Sequence, residues 1–409
     1  MSIHRWFDVA KCHNNIYEWN VSMKRILIIS ETVLFPMDRG NRKRVKNLID
    51  LLRSEGCTVD YLFMDTYPED DPEKTREWIG AEHFFTVMNR KRSFSVWCKR
   101  KVRKVLEILH IPFAFRYFSL DESTSPDLVR DLGKFFEIHS YDQVWVVCTY
   151  NTRAFLSVPQ GTLKVLETQN VSSVKRQEYD AVNYKNYIFA MTEVTEKAAL
   201  ERSDVVIAIQ NEEEEFFRNM LGAGSSTRAV TIGENMEIKE PHVADTKKVV
   251  FLGSTYVINR EGVIHFIEDI LPELKQICPE AEVIFAGSIC KSLPDSDAYT
   301  KLGWVEDLEE LYRDARVIIN PVRHGAGLNI KMVEALSQAK PVVTHVKGMR
   351  GLSYKKPVAV ITDDNKEFAK AVAEIVRDDA KALEMSQTAV EFMKDYENKN
   401  LQAVKDLLA

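Results

Sequence analysis

No run of apolar residues in the 409-residue chain approaches the roughly 18 that a helix needs to cross a bilayer. Residues 1–22 carry His4, Arg5, Asp8, Lys11 and Glu18 and lack the apolar stretch of a secretory signal. Cysteine is sparse: Cys12, Cys57, Cys98, Cys148, Cys278 and Cys290 show no paired, metal-type spacing. Several lie in apolar surroundings such as Val146-Val147-Cys148, as reduced core thiols of a cytosolic protein do. There is no excess of basic residues. A net charge of −6 argues against general nucleic-acid binding and leaves room only for local basic patches. Internal repeats and low-complexity tracts are missing too. The first strand is not followed by Gly-x-Gly-x-x-Gly, which weighs against a nicotinamide-dependent dehydrogenase. The expected location is cytoplasmic, and because Met23-Lys24-Arg25 stands directly before a strand, residues 1–22 read as an appended N-terminal extension.

What remains is a globular composition, 45% hydrophobic and 28% charged. A chain this long exceeds the ~250–300 residues at which single cores stop growing, so two domains are expected. Ile26–Ile29 is a short apolar run of the kind buried in parallel sheets. A loop from Glu31 to Gly40 follows, then a helix with Val45, Leu48, Ile49 and Leu52 on one face, then a strand at Val59–Phe63. Further strands are expected at His83–Met88, Gln143–Cys148, Leu163–Leu166 and Val205–Ile209. The pattern then restarts at Val249–Leu252, with a helix at Gly262–Gln276 and a strand at Val283–Ala286. Asp307, followed three residues on by Glu310, marks a helix start before Leu308–Ala315. The expected organisation is an extension at 1–22, a Rossmann-like domain at 23–232, and a linker at 233–248. A second Rossmann-like domain at 249–380 and terminal helices at 381–409 complete it.

The densest signal lies at Pro321–Val343. The strand Val317–Ile319 runs into a loop carrying Gly325 and Gly327, and a helix follows with Leu328, Met332, Ala335, Leu336 and Ala339 on one face. Lys331, Glu334 and Gln338 line another face of the same helix. Glycines permit close approach of a ligand to the backbone, and free amides at a helix start attract phosphate. Lys331 adds a cation one turn in, and Glu334 can accept from paired hydroxyls such as those of a ribose. That geometry suits a nucleoside diphosphate; an ordinary strand–turn–helix unit with a solvated Lys/Glu face is the other reading.

This segment, with Gly303-Trp304-Val305-Glu306-Asp307 before it and Ala339-Lys340-Pro341 at its end, resembles the donor-binding signature of family 4 glycosyltransferases. These are retaining enzymes of the GT-B fold that use nucleotide-sugar donors. The matching elements run from near Gly253 to about Gly351-Leu352, and a weaker similarity covers the N-terminal half. The resemblance implies an α/β architecture of two Rossmann-like domains around a cleft, with C-terminal helices crossing back to the first. It puts the donor in the second domain, with Glu334 on the ribose and Lys331 on the phosphates. Gly325, Ala326, Gly327 and Leu328 would face the donor sugar and diphosphate, Gly303, Trp304 and Val305 the nucleobase, and Gly253 and Ser254 the phosphates. The usual signature has two glutamates separated by seven residues, but here Ala326 stands eight before Glu334. With a loop two residues longer, His324 falls where the first glutamate would be. Arg260 is a substitute for one of the cations that the family carries in its first loop. The closer similarity is to a subgroup with a Gly-Ala-Gly-x-x-x-Lys loop, in which His324, Lys331 and Glu334 would carry the chemistry.

On the acceptor side, Pro36–Asn41 matches the glycine loop after strand one, with Arg39, Gly40 and Asn41 in it and Arg42 and Arg44 beside it. A turn with a solvated basic helix start is the alternative. Asn170 and Arg176 follow a strand and face the expected cleft. From Lys91 to Phe118 a basic amphipathic stretch sets Cys98, Val102, Val105, Leu106 and Leu109 on one face and Lys99, Arg100, Lys101, Arg103 and Lys104 around them. It suits either an anionic membrane surface with a lipid-linked acceptor, or a helix packed on the core with a solvated basic face. Glu212–Glu215 reads as solvated helix surface.

The expectation is a retaining glycosyltransferase that moves a hexose-type sugar from a UDP- or GDP-sugar to a glycan or lipid-linked acceptor of a surface polysaccharide or glycoconjugate. It would be cytoplasmic, peripheral at the inner face of a membrane, and without nucleic-acid partners. No cofactor or metal is expected, since there is no Asp-x-Asp beside a nucleotide loop and Asp295-Ser-Asp297 falls in a surface-type loop. A non-catalytic GT-B subunit that binds nucleotide or a partner enzyme is the second reading, and a sugar-nucleotide epimerase the third.

Overall fold

The structure is a computed structural model. It describes residues 23–37, 39–67, 69–89, 94–109, 120–175, 191–325, 327–353 and 357–409. Residues 1–22, Ala326, Arg176 and part of the Lys91–Phe118 stretch lie outside them.

Two parallel sheets organise the chain. The first uses β1 (Arg25–Ser30), β2 (Thr58–Asp65), β3 (Phe84–Met88), β4 (Gln143–Val147), β5 (Leu163–Glu167), β6 (Val205–Ala208) and β7 (Arg228–Thr231), in the order β3-β2-β1-β4-β5-β6-β7. The second uses β8 (Lys248–Leu252), β9 (Glu282–Ala286), β10 (Thr300–Gly303), β11 (Val317–Asn320), β12 (Val342–Thr344) and β13 (Val360–Ile361), in the order β10-β9-β8-β11-β12-β13. Every neighbouring pair is parallel.

Parallel strands need crossovers, and the helices that make them cover both faces of each sheet. This is why the strands read as unbroken apolar runs. In β1, Ile26 and Ile28 enter one core layer while Leu27 and Ile29 enter the opposite one, following the two-residue period of a strand. In β8, Val249 and Phe251 face one layer and Val250 the other.

The helices are α1 (Gly40–Ser54), α2 (Glu73–Ile79), α3 (Phe94–Ile108), α4 (Leu128–Phe136), α5 (Glu193–Leu200) and α6 (Asn211–Leu221) with the first sheet. With the second come α7 (Val257–His265), α8 (Leu271–Ile277), α9 (Leu308–Asp314), α10 (Ile330–Ser337), α11 (Asn365–Arg377) and α12 (Asp379–Leu408). As the sequence suggests, the Asp307 side chain accepts from the Glu310 amide at 2.9 Å and caps α9. The single helix expected at Gly262–Gln276 instead begins at Val257 and is interrupted by a π-helical turn over Phe266–Ile270. Pro272 explains the interruption: it cannot donate to a carbonyl one turn back, and its ring crowds that turn.

α12 joins the two sheets. Ala382, Met385, Ala389 and Met393 pack against the second, while Val404 and Leu407 enter the core of the first. Burying those last two contributes about 1.5–3 kcal/mol each. The helix also clasps the segment leaving β7. The Gly233 amide donates to Asn400 Oδ1 at 2.8 Å and the Glu234 amide to Tyr396 Oη at 2.9 Å. A methyl group on Gly233 would lie 2.0 Å from Tyr396 Oη. Gly233→Ala is therefore expected to lower stability by about 1–3 kcal/mol, measurable by urea unfolding; an unchanged midpoint would mean that α12 does not clasp this segment in solution.

Candidate functional site

The carboxyl ends of the parallel strands are where an open α/β sheet binds its ligands. Segments from both sheets meet there. Gly40, Asn41 and Arg44 from the first turn of α1, Gln169 and Asn170 after β5, Ile209 after β6 and Glu234 line a cavity of about 160 Å³ together with Leu328 and Ile330. The glycine at position 40 stands close to the second domain: a Cβ there would lie 3.0 Å from Ile330 Cδ1 across the cleft. Cys148 and Gln169, just past the ends of β4 and β5, hold positive φ values of 74° and 65°. A conformation unfavourable for side-chain-bearing residues, repeated on adjacent strands, is characteristic of sites where backbone geometry serves a ligand.

On the second domain, Lys331 sits in the first turn of α10. Its Nζ donates to Asn259 Oδ1 at 2.8 Å and lies 5.9 Å from the centre of the Phe251 ring. Burial lowers its pKa to about 8, against the opposing pull of Glu334. Asn259, a residue the sequence reading passed over, is 5% exposed. Its Nδ2 donates to the Ser254 carbonyl at 3.1 Å and to Ser254 Oγ at 3.2 Å. One amide thus ties the turn after β8 to the lysine, and a methyl on Gly253 would lie 3.6 Å from Lys331 Cε. Gly253, Ser254 and Lys331 are therefore one cluster.

Glu334, one turn further on, accepts from Lys43 Nζ at 2.8 Å. This ion pair spans the cleft, since Lys43 belongs to α1 of the first domain. Behind Glu334 stands Tyr312, 2% exposed, its hydroxyl pKa pushed well up by burial first and by Glu334 second. Lys43 escaped the sequence reading because a lysine inside a run of basic residues gives no sign of which one turns inward.

The other expected residues fall elsewhere around the cleft. His324 and Arg260 line a cavity of about 440 Å³ with Arg323, Glu261 and His265. Arg323 forms a tight ion pair with Glu261, and His324 Nε2 lies 4.0 Å from the same carboxylate. The Gly325 carbonyl accepts from Arg350 at 3.2 Å. Gly303 donates to Cys290 Sγ at 3.4 Å, which leaves Trp304 beyond it 68% exposed; Val305 is partly buried.

One expectation is revised, and two alternatives that the sequence left open are not what the structure shows. Arg44 is not a solvated cation beside the loop: it is 4% exposed and forms a two-point pair with Glu167 at 3.1 and 3.0 Å. It also donates to the carbonyls of Ile232, at 2.7 Å, and Gly233. Arg42 likewise turns inward, to the Pro36 carbonyl at 3.0 Å, while Arg39 is exposed. The Glu212–Glu215 run is not uniformly solvated, because Glu213 is 1% exposed. Finally, of the two readings left open for α3, packing on the core is not what its described residues show. Phe94, Trp97, Val102, Val105 and Leu109 are all exposed, with Phe94 and Trp97 stacked at 5.8 Å and Lys101 lying over the Trp97 ring. Among the described residues no helix is long and apolar enough to cross a membrane.

Comparison with known proteins agrees with this architecture. Residues 246–378 match the family model described as Glycosyl transferases group 1. No curated protein matches the chain significantly. Among solved structures, sucrose-phosphate synthase from Thermosynechococcus elongatus superimposes with a TM-score of 0.65 at 16% identity, covering 93% of this chain and 98% of that one. TarM from S. aureus, bound to UDP and α-GlcNAc-glycerol, gives 0.61 at 12%, covering 93% and 99%. HepE from Anabaena, bound to UDP and glucose, gives 0.58 at 14%, covering 94% and 99%. The chain has the GT-B fold, two Rossmann-like domains around a cleft, and its second domain carries the sequence pattern of group 1 glycosyl transferases.

Proposed function

We propose that the protein is a retaining glycosyltransferase, taking a hexose-type sugar from a UDP- or GDP-sugar to a glycan or lipid-linked acceptor. The observation that carries this reading is the Gly253–Ser254–Asn259–Lys331 cluster beside Glu334, at the carboxyl ends of strands in a domain matching the group 1 model. Several of the structures that share the fold hold UDP or a UDP-sugar.

The chemistry follows from charge. Departure of a nucleoside diphosphate builds negative charge on the leaving phosphate while the sugar carbon becomes cationic. A preorganised ammonium in a site of low dielectric stabilises that leaving group without reorganising at the moment of transfer. Lys331 is held ready by Asn259, and the amides of Gly327 and Leu328 and of the Gly253–Ser254 turn supply dipoles, so the charge is met by this chain's own groups. Glu334 takes the ribose hydroxyls; to do so it releases Lys43, which is then free to turn to the diphosphate. Trp304, exposed at the edge of the second sheet, offers a stacking face for the base. His324 and Arg260 stand on the sugar-nucleotide side, while Arg39, Gly40, Asn41 and Asn170 form the acceptor side. The uncovered apolar face of α3, set among Lys99, Arg100, Lys101 and Lys104, supports an acceptor presented at an anionic lipid surface.

The test is nucleoside diphosphate release from a panel of UDP-, GDP- and ADP-sugars, with and without membrane extract. Release from one donor, stimulated by extract, is expected. Tight binding without release would favour a non-catalytic nucleotide-binding subunit, and conversion of the donor without acceptor an epimerase. In the same assay Glu334→Ala is expected to weaken nucleoside diphosphate binding at least tenfold, since two hydroxyl contacts to a carboxylate are lost. Undiminished affinity in that variant would remove Glu334 from the donor site.

A further inference from the structure

Glu213 lies in the first turn of α6. It is 1% exposed, and neither carboxyl oxygen makes a hydrogen bond of normal geometry. A methyl group placed on Gly327 would lie 3.5 Å from Glu213 Oε1 and 3.9 Å from Asn170 Cβ. The carboxyl of the first domain therefore faces the bare backbone of the glycine loop in the second. Its neighbours on α6 behave differently: Glu212 reaches the Gly351 amide at 3.3 Å and Glu214 accepts from Thr231 at 2.5 Å.

A buried carboxyl whose nearby donors are only the Ile209 amide and, through its charge, the Arg350 guanidinium still costs stability, and an apolar residue of similar size would remove that cost. Such a group persists where a ligand completes it. From Gly325 to Gly327 the sequence carries no acid. We propose that Glu213 binds a hydroxyl of the transferred sugar, supplying across the cleft a carboxyl that the donor loop lacks. The inference rests on the donor site described above and adds to it a residue that selects the sugar rather than the nucleotide. It also gives domain closure a purpose, since the sugar is fully held only when α6 and the loop stand together.

The experiment measures binding of UDP, UDP-glucose, GDP and GDP-mannose by calorimetry to the full chain, to Glu213→Leu and to Glu213→Gln. For the pair the wild type prefers, Glu213→Leu is expected to keep nucleoside diphosphate affinity within about twofold while losing sugar-nucleotide affinity at least tenfold, because a sugar hydroxyl is left without its partner. Glu213→Gln, which retains hydrogen-bonding groups, falls between. Thermal unfolding supplies a readout that a packing role would move in the opposite direction. The faces around Glu213 present the Arg350 guanidinium, the Glu167 and Glu196 carboxylates and the Ile209 amide, and burial, the largest influence, pushes its pKa up to about 7. The cost of the charged form is thus present at pH 8 and absent at pH 5, so Glu213→Leu should raise the unfolding midpoint more at pH 8 than at pH 5. Equal loss of both ligands, no loss of either, or a lowered midpoint overturns the proposal. If the wild type binds neither pair, the donor-site reading fails and this one with it. If the wild type binds a sugar nucleotide in a manner sensitive to Glu334→Ala while Glu213→Leu changes nothing, this inference alone fails.

Discussion

Lys331→Met lowers turnover with the preferred sugar nucleotide by about 100- to 1,000-fold, the usual cost of removing one preorganised group from the site of developing charge. The loss should fall on kcat more than on nucleoside affinity, because the proposed partner of the ammonium is the leaving diphosphate and not the ribose. Burial holds the Lys331 pKa near 8 in the ligand-free chain. The ammonium is therefore complete below that pH and is lost above it. The wild-type kcat/KM should fall on the alkaline side of about pH 8, and this limb should vanish in Lys331→Met. Diphosphate binding opposes the deprotonation, so the profile of kcat should break at higher pH than that of kcat/KM. A loss below tenfold, or an alkaline limb that persists in the variant, would falsify the role of Lys331. The same substitution relieves a partly buried cation, so stability of the ligand-free chain should hold or rise even as activity collapses.

The second large effect is on stability. Arg44 is the hub of a buried network in which Glu167 is 0% and Glu234 1% exposed. Burial alone would lower the arginine's pKa, but the charges of Glu167 and Glu234 overcome it and leave the pKa raised. Burial likewise pushes Glu234 up to about 7, against the opposing pull of Arg44 and of the Asn47 hydrogen bond. Removing the guanidinium strands two carboxyls in the interior and frees the Ile232 and Gly233 carbonyls. Arg44→Met is expected to lose about 3–5 kcal/mol, read from urea unfolding. The sign of its pH dependence is fixed. Glu234, whose folded-state pKa is raised, binds a proton more readily folded than unfolded, so stability falls as pH rises above its unfolded value near 4.5. The deficit of Arg44→Met should be smaller at pH 5 than at pH 8. Arg44→Lys should not restore it, since one ammonium cannot span both oxygens of Glu167 and two carbonyls. A loss under 1 kcal/mol at pH 8 would mean that the network is hydrated in solution. Because Arg44 also lines the interdomain cavity, the network holds the floor of the cleft as well as the core.

Much of this protein was legible in order of residues. Apolar runs such as Ile26–Ile29, Val144–Val147 and Val249–Leu252 announce strands because a sheet covered on both faces tolerates little else. The glycines at 325 and 327, with Lys331 and Glu334 at helical spacing, mark the loop proposed here for phosphate because backbone approach and charge position are both local properties. Where expectation departed from structure, the missing information was not local. β7, β10 and β13 have four, four and two residues, carry little of the unbroken apolar character of the inner strands, and exist because a neighbouring strand offers them a ladder. Arg44 and Lys43 are adjacent in a basic run, yet one is drawn into the first core by Glu167 and the other across the cleft to Glu334, partners 123 and 291 residues away. Glu213 looks like its three acidic neighbours and differs only in facing Gly327. The chain order therefore determines the strands, the helices and the glycine loop before α10, whose physics is contained within a few turns of backbone. Which charged side chains are buried, which are paired and which are left facing the cleft was decided only when the two sheets came together, since burial and Coulomb energy depend on distance in space and not on distance along the chain.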